Sequence, residues 1–184
     1  MDASWIVIGL VVVLVLYLVA TYNGLVGKRN RTRNGWSQID VQLKRRHDLI
    51  PNLVNTVQGY LQHERQVLEN VTRARQQAMS AGGVAERAEA ENMLTQAMRS
   101  LFAVAEAYPD LKANQNMLAL QEELSSTENK VAFARQFYND SVQEYNTARE
   151  SFPTTIFAGL LDFQPAEMFA LEDPGDRAVP QVQF

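Results

Sequence analysis

The chain of 184 residues contains no cysteine. That excludes disulfides, thiolate-bound zinc, iron–sulfur clusters, cysteine nucleophiles and lipidated cysteines. It fits a reducing compartment without establishing one. Histidine is almost as scarce, with only His47 and His63 to serve as imidazole bases or ligands. "HERQV" (His63–Val67) begins like a helical zinc-protease motif, but no second histidine follows four residues later, so no pair grips a metal from one face. His47 and Asp48 are neighbours in sequence and point about 100° apart on a helix, so they are not a ready-made dyad. Glycine and proline are sparse through the middle, and no glycine-rich loop joins a strand to a helix as nucleotide phosphates require. No catalytic, cofactor-binding or metal-binding residue is assigned, and the chain is expected to be non-enzymatic. A metallohydrolase built on His47 or His63 is the weakest of three functional readings.

What the chain does have is a twenty-residue run without a charge, "ASWIVIGLVVVLVLYLVATY" (Ala3–Tyr22). As a helix at about 1.5 Å per residue it covers the roughly 30 Å hydrocarbon core of a bilayer. Trp5 sits near one end and Tyr17 and Tyr22 toward the other, where amphipathic rings favour interfaces. A secretory signal would carry its basic residues before the run; here Lys28, Arg29, Arg31 and Arg33 follow it. The expectation is an uncleaved single-span anchor with Met1 outside and the rest cytoplasmic. Charge divides accordingly: residues 1–46 hold seven Lys+Arg against two Asp+Glu, and residues 47–184 hold ten against nineteen. "KRNRTR" and the triplet Lys44, Arg45 and Arg46 suit lipid head groups or an acidic partner better than nucleic acid, because a span lies immediately upstream.

Beyond the anchor, three- and four-residue apolar steps predict an all-α fold, a long-helix antiparallel bundle with a flexible C-terminal tail. Trp36, Ile39, Leu43, His47 and Ile50 share one face. Pro51 lacks an N–H and disfavours helix at Ile50, so a kink or break is expected there. This divides the chain into an anchor (1–23), a juxtamembrane first helix (24–50), a bundle (51–152) and a tail (153–184). Bundle helices are predicted at 51–81, 84–107 and 115–151. The first has a seam of Leu53, Val57, Tyr60, Glu64, Val67, Val71, Ala74 and Ala78, and Gly82–Gly83 ends it with residues that tolerate positive φ. Glu64 falls on an inward position, where a carboxylate needs a basic partner or water. In the last helix the seam runs from Met117 to Phe152 over five heptads, with Asn114 as its cap. Tyr138-Asn139 and Tyr145-Asn146 are seven residues apart, and the expectation is that Asn139 and Asn146 bond to a facing helix or a neighbouring subunit. In the tail, "IFAGLLDF" is apolar, and Val179, Val182 and Phe184 alternate with polar residues as in a docking peptide.

Two blocks, "YNGLVGKRNRTRNGWSQIDVQLKRRHDLIPNLVNTVQGYLQHE" (Tyr22–Glu64) and "LFAVAEAYPDLKANQNMLALQEELSSTENKVAFARQFYNDSVQEYN" (Leu101–Asn146), closely resemble the signature of the bacterial LemA family. The ending, with Phe169 and "PQVQF", is similar as well. The resemblance implies one N-terminal span in the bacterial inner membrane, N-terminus out, and a cytoplasmic α-bundle; it supplies no catalytic residue or cofactor. A relative among magnetosome membrane proteins favours membrane organisation, and the family's frequent neighbourhood with membrane proteases hints at envelope quality control. The leading expectation is therefore a membrane-anchored, coiled-coil-like scaffold that forms homo-oligomers and organises lipid or protein partners. The alternative is a monomeric or small-oligomer adaptor that recruits a client or membrane protease.

Overall fold

The apolar run leads into no linker. In the computed structural model, which describes residues 3–61 and 63–170, one unbroken helix α1 spans Ala3–Gln58 and carries the run directly into the bundle. Among the described residues five further helices follow: α2 (Arg65–Ser80), α3 (Val84–Ala105), α4 (Pro109–Lys112), α5 (Gln115–Glu150) and α6 (Thr154–Leu160). No strand occurs among the described residues. The all-α bundle expected from the seams is what forms. α1 is the one helix among the described residues that is long and apolar enough to cross a membrane.

The helices α1, α2, α3 and α5 run up, down, up and down. Ion pairs between Arg31 and Glu144, and between Arg45 and Glu123, show α1 and α5 antiparallel. Leu53, Val57, Val71, Ala78, Leu94, Leu101 and Met117 close the core at the end farthest from the apolar run. Ile39, Leu43, Val131, Tyr138 and Val142 form the middle. Leu25, Tyr145, Ala158 and Phe163 form the end nearest the apolar run. At Gly35 the helices approach so closely that a Cβ would lie 3.1 Å from the Cα of Tyr138, so a side chain there would push α1 and α5 apart.

Of the kink or break expected at Pro51, the break is corrected: α1 continues through the proline and ends seven residues later, before a turn at Gly59–Tyr60. A proline leaves the carbonyl four residues earlier without its helical donor. Here that carbonyl belongs to His47, and Arg75 Nε on α2 donates to it at 2.7 Å. The missing bond is replaced from another helix. The seam drawn across residues 51–81 is thereby interrupted: Glu64 sits in the turn, half-buried, as the residue preceding α2. Gly82–Gly83 does end α2, but neither glycine has a positive φ. Gly83 instead precedes α3 as its N-cap, and Glu86 reaches back to accept from the Gly82 N–H at 3.1 Å. Asn114 caps α5 as expected, its Oδ1 accepting from the N–H groups of Asn116 and Met117. The connector before it contains the short helix α4.

Candidate functional site

The most specific polar geometry lies where α5 meets the chain after α6. Residues 164–170 run extended, antiparallel to α5 and beside α1, as a strap. Asn139 Nδ2 donates to the Phe169 carbonyl at 3.2 Å, while the Phe169 N–H donates to Asn139 Oδ1 at 2.9 Å. Asn146 repeats the pattern on Ala166, at 2.9 and 3.0 Å. The preceding tyrosines complete it: Tyr138 Oη donates to the Glu167 carbonyl at 2.7 Å, and Tyr145 Oη to the Gln164 carbonyl at 2.8 Å. Each Tyr-Asn dipeptide thus grips one strap residue by its carbonyl and the residue two further on by both backbone groups. The repeat fits because seven helical residues rise about 10.5 Å and three extended residues about 10 Å.

Apolar contacts reinforce the strap. Phe169 is fully buried, and its ring lies 5.6 Å from that of Trp36, which also meets Tyr138 at 5.5 Å. Phe163 packs edge-on to Tyr22 at 5.6 Å, with the Arg29 guanidinium 5.0 Å above its ring. Burial raises the pKa of Tyr138 above its usual value, with the Glu167 carboxylate adding to the rise. Burial also raises that of Tyr145, against the opposing charges of Arg29, Arg149 and Arg33. Both phenols therefore stay protonated as donors to the strap.

A second constellation is internal. Glu91 on α3 is 0% exposed and uses both oxygens: Oε2 accepts from Arg46 Nη1 at 3.1 Å, and Oε1 lies 2.6 Å from His47 Nε2. A carboxylate offers only acceptors, so Nε2 is the donor. Arg46 Nη2 continues to Thr95 Oγ1 at 2.8 Å and to Glu128 on α5 at 2.7 Å. One guanidinium thus ties three helices together around a buried carboxylate. Thr95 and Glu128 also line a surface pocket with Phe102 and Ser125, but Glu91 itself is closed off from solvent, and the arrangement is suited to fixing helix register. Among the described residues, no three His, Asp or Glu side chains converge as a metal site.

Several sequence expectations are redirected by this geometry. Arg46, expected to meet lipid or a partner, is 2% exposed and turned into the bundle, a correction forced by Glu91. Lys44 stays exposed, while Arg45 pairs with Glu123 at 2.9 Å. Of the residues expected at the membrane interface, Lys28 and Arg31 pair with Glu144, Arg29 covers Phe163, and Arg33 is exposed. Ile39 and Leu43 are buried as expected, with Trp36 packed against them. Asn139 and Asn146 do hydrogen-bond across a seam, but to the strap, not to a facing helix. The C-terminal tail, expected to be flexible, is pinned from Gln164 as far as Phe169. Val179, Val182 and Phe184 lie outside the described residues. The heptad-spaced Tyr-Asn pair was the available signal for the clamp; for Glu91 it was a place three residues before Leu94 on the buried face of α3.

The LemA family model matches residues 35–184, a stretch that includes the clamp, the strap and the internal ion cluster. The Magnetosome protein MamQ 2 of Paramagnetospirillum magneticum is 23% identical over 200 residues, spanning 95% of this chain and 74% of its own length. Magnetosome protein MamQ of Magnetospirillum gryphiswaldense is 23% identical over 193 residues, 90% of this chain and 71% of its own. Protein LemA of Metamycoplasma hominis is 25% identical over 152 residues, 82% and 69% respectively.

Proposed function

Given that this chain belongs to the LemA family and is a membrane-associated helical protein, we propose that it is a single-span, non-enzymatic scaffold of the bacterial inner membrane. Its bundle stands on the cytoplasmic side, self-associates there, and organises a membrane patch or a protein partner. One observation carries the self-association: the outer α1–α5 face exposes Val41 (63%) and Phe133 (73%) on either side of a groove floored by Ala134 and Phe137. Val41 lies nineteen residues beyond Tyr22, about 28 Å along the helix, so this apolar strip is clear of the bilayer and faces water in a monomer. A second copy brings the same strip to match it, as closed symmetric pairs do. The basic residues after the span support the cytoplasmic placement. The names of the magnetosome relatives support a role in membrane organisation.

Native mass measurement of the full chain in a mild membrane mimic tests the reading. Dimers or larger assemblies that fall to monomer on Phe133→Asp are the expected result. A monomer at all concentrations that retains a stoichiometric client would put the adaptor in place of the scaffold.

A further inference from the structure

The uncharged stretch Ser151–Leu161, "SFPTTIFAGLL", contains α6 and plays no part in the clamp or the internal ion cluster. Its inward residue is Ala158, which is buried with Leu25, Tyr145 and Phe163. Its outward residues are apolar: Phe152 is 81% exposed and Leu160 80%, with Ile156 and Leu161 also open. Ile156 and Leu160 lie four residues apart on α6 and share one face, and Phe152 stands exposed in the turn just before that helix. Single exposed apolar residues are ordinary on any protein surface. Four within ten residues, with no charge among them, form a patch that water solvates poorly.

The position of that patch identifies what covers it. Leu25, against which Ala158 packs, lies three residues beyond Tyr22, about 4.5 Å past the end of the uncharged run. Lys28, Arg29 and Arg31 follow within two further turns, at the depth where lipid phosphates lie when Ala3–Tyr22 spans the hydrocarbon. The α6 segment is therefore at the boundary between acyl chains and head groups, continuous with the surface of the span. We infer that Ser151–Leu161 is a second membrane contact, an interfacial element that seats Phe152, Ile156, Leu160 and Leu161 in the lipid surface beside the emerging span. Short apolar faces of this kind enter roughly 5–10 Å into the head-group and acyl boundary. The strap begins three residues after this element, at Gln164, so lipid contact and strap attachment share one end of the bundle.

This inference rests on the reading of Ala3–Tyr22 as a span, and the test separates the two. Because the chain has no cysteine, Phe152→Cys, Leu160→Cys and, on the far end of α5, Leu118→Cys each provide one labelling position. All three replace exposed side chains. Each full-length variant carries a small fluorophore and is reconstituted in phosphatidylcholine–phosphatidylglycerol vesicles. The expected result is quenching of the labels at 152 and 160 by nitroxide placed high on the lipid acyl chain, with several-fold less quenching by aqueous iodide than at 118. Labels at 152 and 160 that behave like the label at 118, in protein that stays with the vesicles through alkaline carbonate, overturn the inference and leave the span intact. Protection from both quenchers assigns the patch to a protein contact and overturns it as well. Release of the protein by carbonate overturns the span and the inference together.

Discussion

Asn139 pairs with Phe169 through both of that residue's backbone groups, in the manner of a neighbouring β-strand. A planar side-chain amide carries one donor and one acceptor in the spacing of a peptide, so a helix can hold an extended segment without a sheet. Asn139→Leu and Asn146→Leu keep the size and remove the amide. Each should destabilise the protein by about 1–3 kcal/mol, because strap N–H and C=O groups lose their partners. Hydrogen exchange should accelerate first at Ala166 and Phe169, ahead of Leu43 and Val131. Equal acceleration throughout would show the strap to be no separate unit.

The internal ion cluster predicts a large and asymmetric cost. Glu91→Ala leaves Arg46 and His47 buried without their shared acceptor, and should cost about 3–5 kcal/mol in denaturant unfolding. Arg46→Leu combined with Glu91→Leu removes both charges and should cost clearly less than the two single changes added together. Additive costs would mean that the pair is not coupled.

Pro51 and Arg75 predict a double-mutant cycle. Arg75→Met alone strips the His47 carbonyl of its donor and should cost about 1–3 kcal/mol. In a Pro51→Ala background the alanine N–H supplies the missing helical bond, so the same Arg75→Met change should cost less. Thermal or denaturant melts of the four proteins give the coupling directly. An equal cost in both backgrounds would assign Arg75 some other role.

The clamp tyrosines predict a loss of stability at high pH. Burial holds the folded pKa of Tyr138 and Tyr145 above the unfolded value of 10.0. The folded state therefore binds these protons more tightly, and their contribution is complete below about pH 10 and is lost as pH rises through the folded values. Tyr138→Phe with Tyr145→Phe should be less stable near neutral pH yet decline less steeply above about pH 10. Lysine titration is common to both proteins and cancels. Parallel declines would remove the tyrosines from the alkaline transition.

Local periodicity carried the architecture in this sequence. The apolar helix, α3, α5 and the Asn114 cap follow from runs, seams and cap chemistry that a short window contains. The misplaced break at Pro51 has the opposite origin: the proline is local, but Arg75, which replaces its lost bond, lies twenty-four positions away on another helix. Arg46 was partly legible: it falls three residues after Leu43 and four before Ile50, on the face of α1 that is buried. What a short window could not contain was its partners, Glu91, Thr95 and Glu128, which lie on α3 and α5. The Tyr-Asn heptad was visible as a repeat, while its ligand was not, because extended backbone presents the same groups whatever its sequence.

With Ala3–Tyr22 spanning the bilayer as proposed, helix α1 would make bilayer thickness a mechanical input. A span that tilts to match a thinner membrane has no flexible joint before the bundle, so the bundle must tilt with it. From Leu25 to Gln58 the helix forms an arm of about 50 Å, and each 10° of tilt sweeps its far end sideways by about 9 Å. Two molecules in membranes of different thickness would hold their α1–α5 faces at different angles to the plane, so the local lipid composition would set how well neighbouring copies meet.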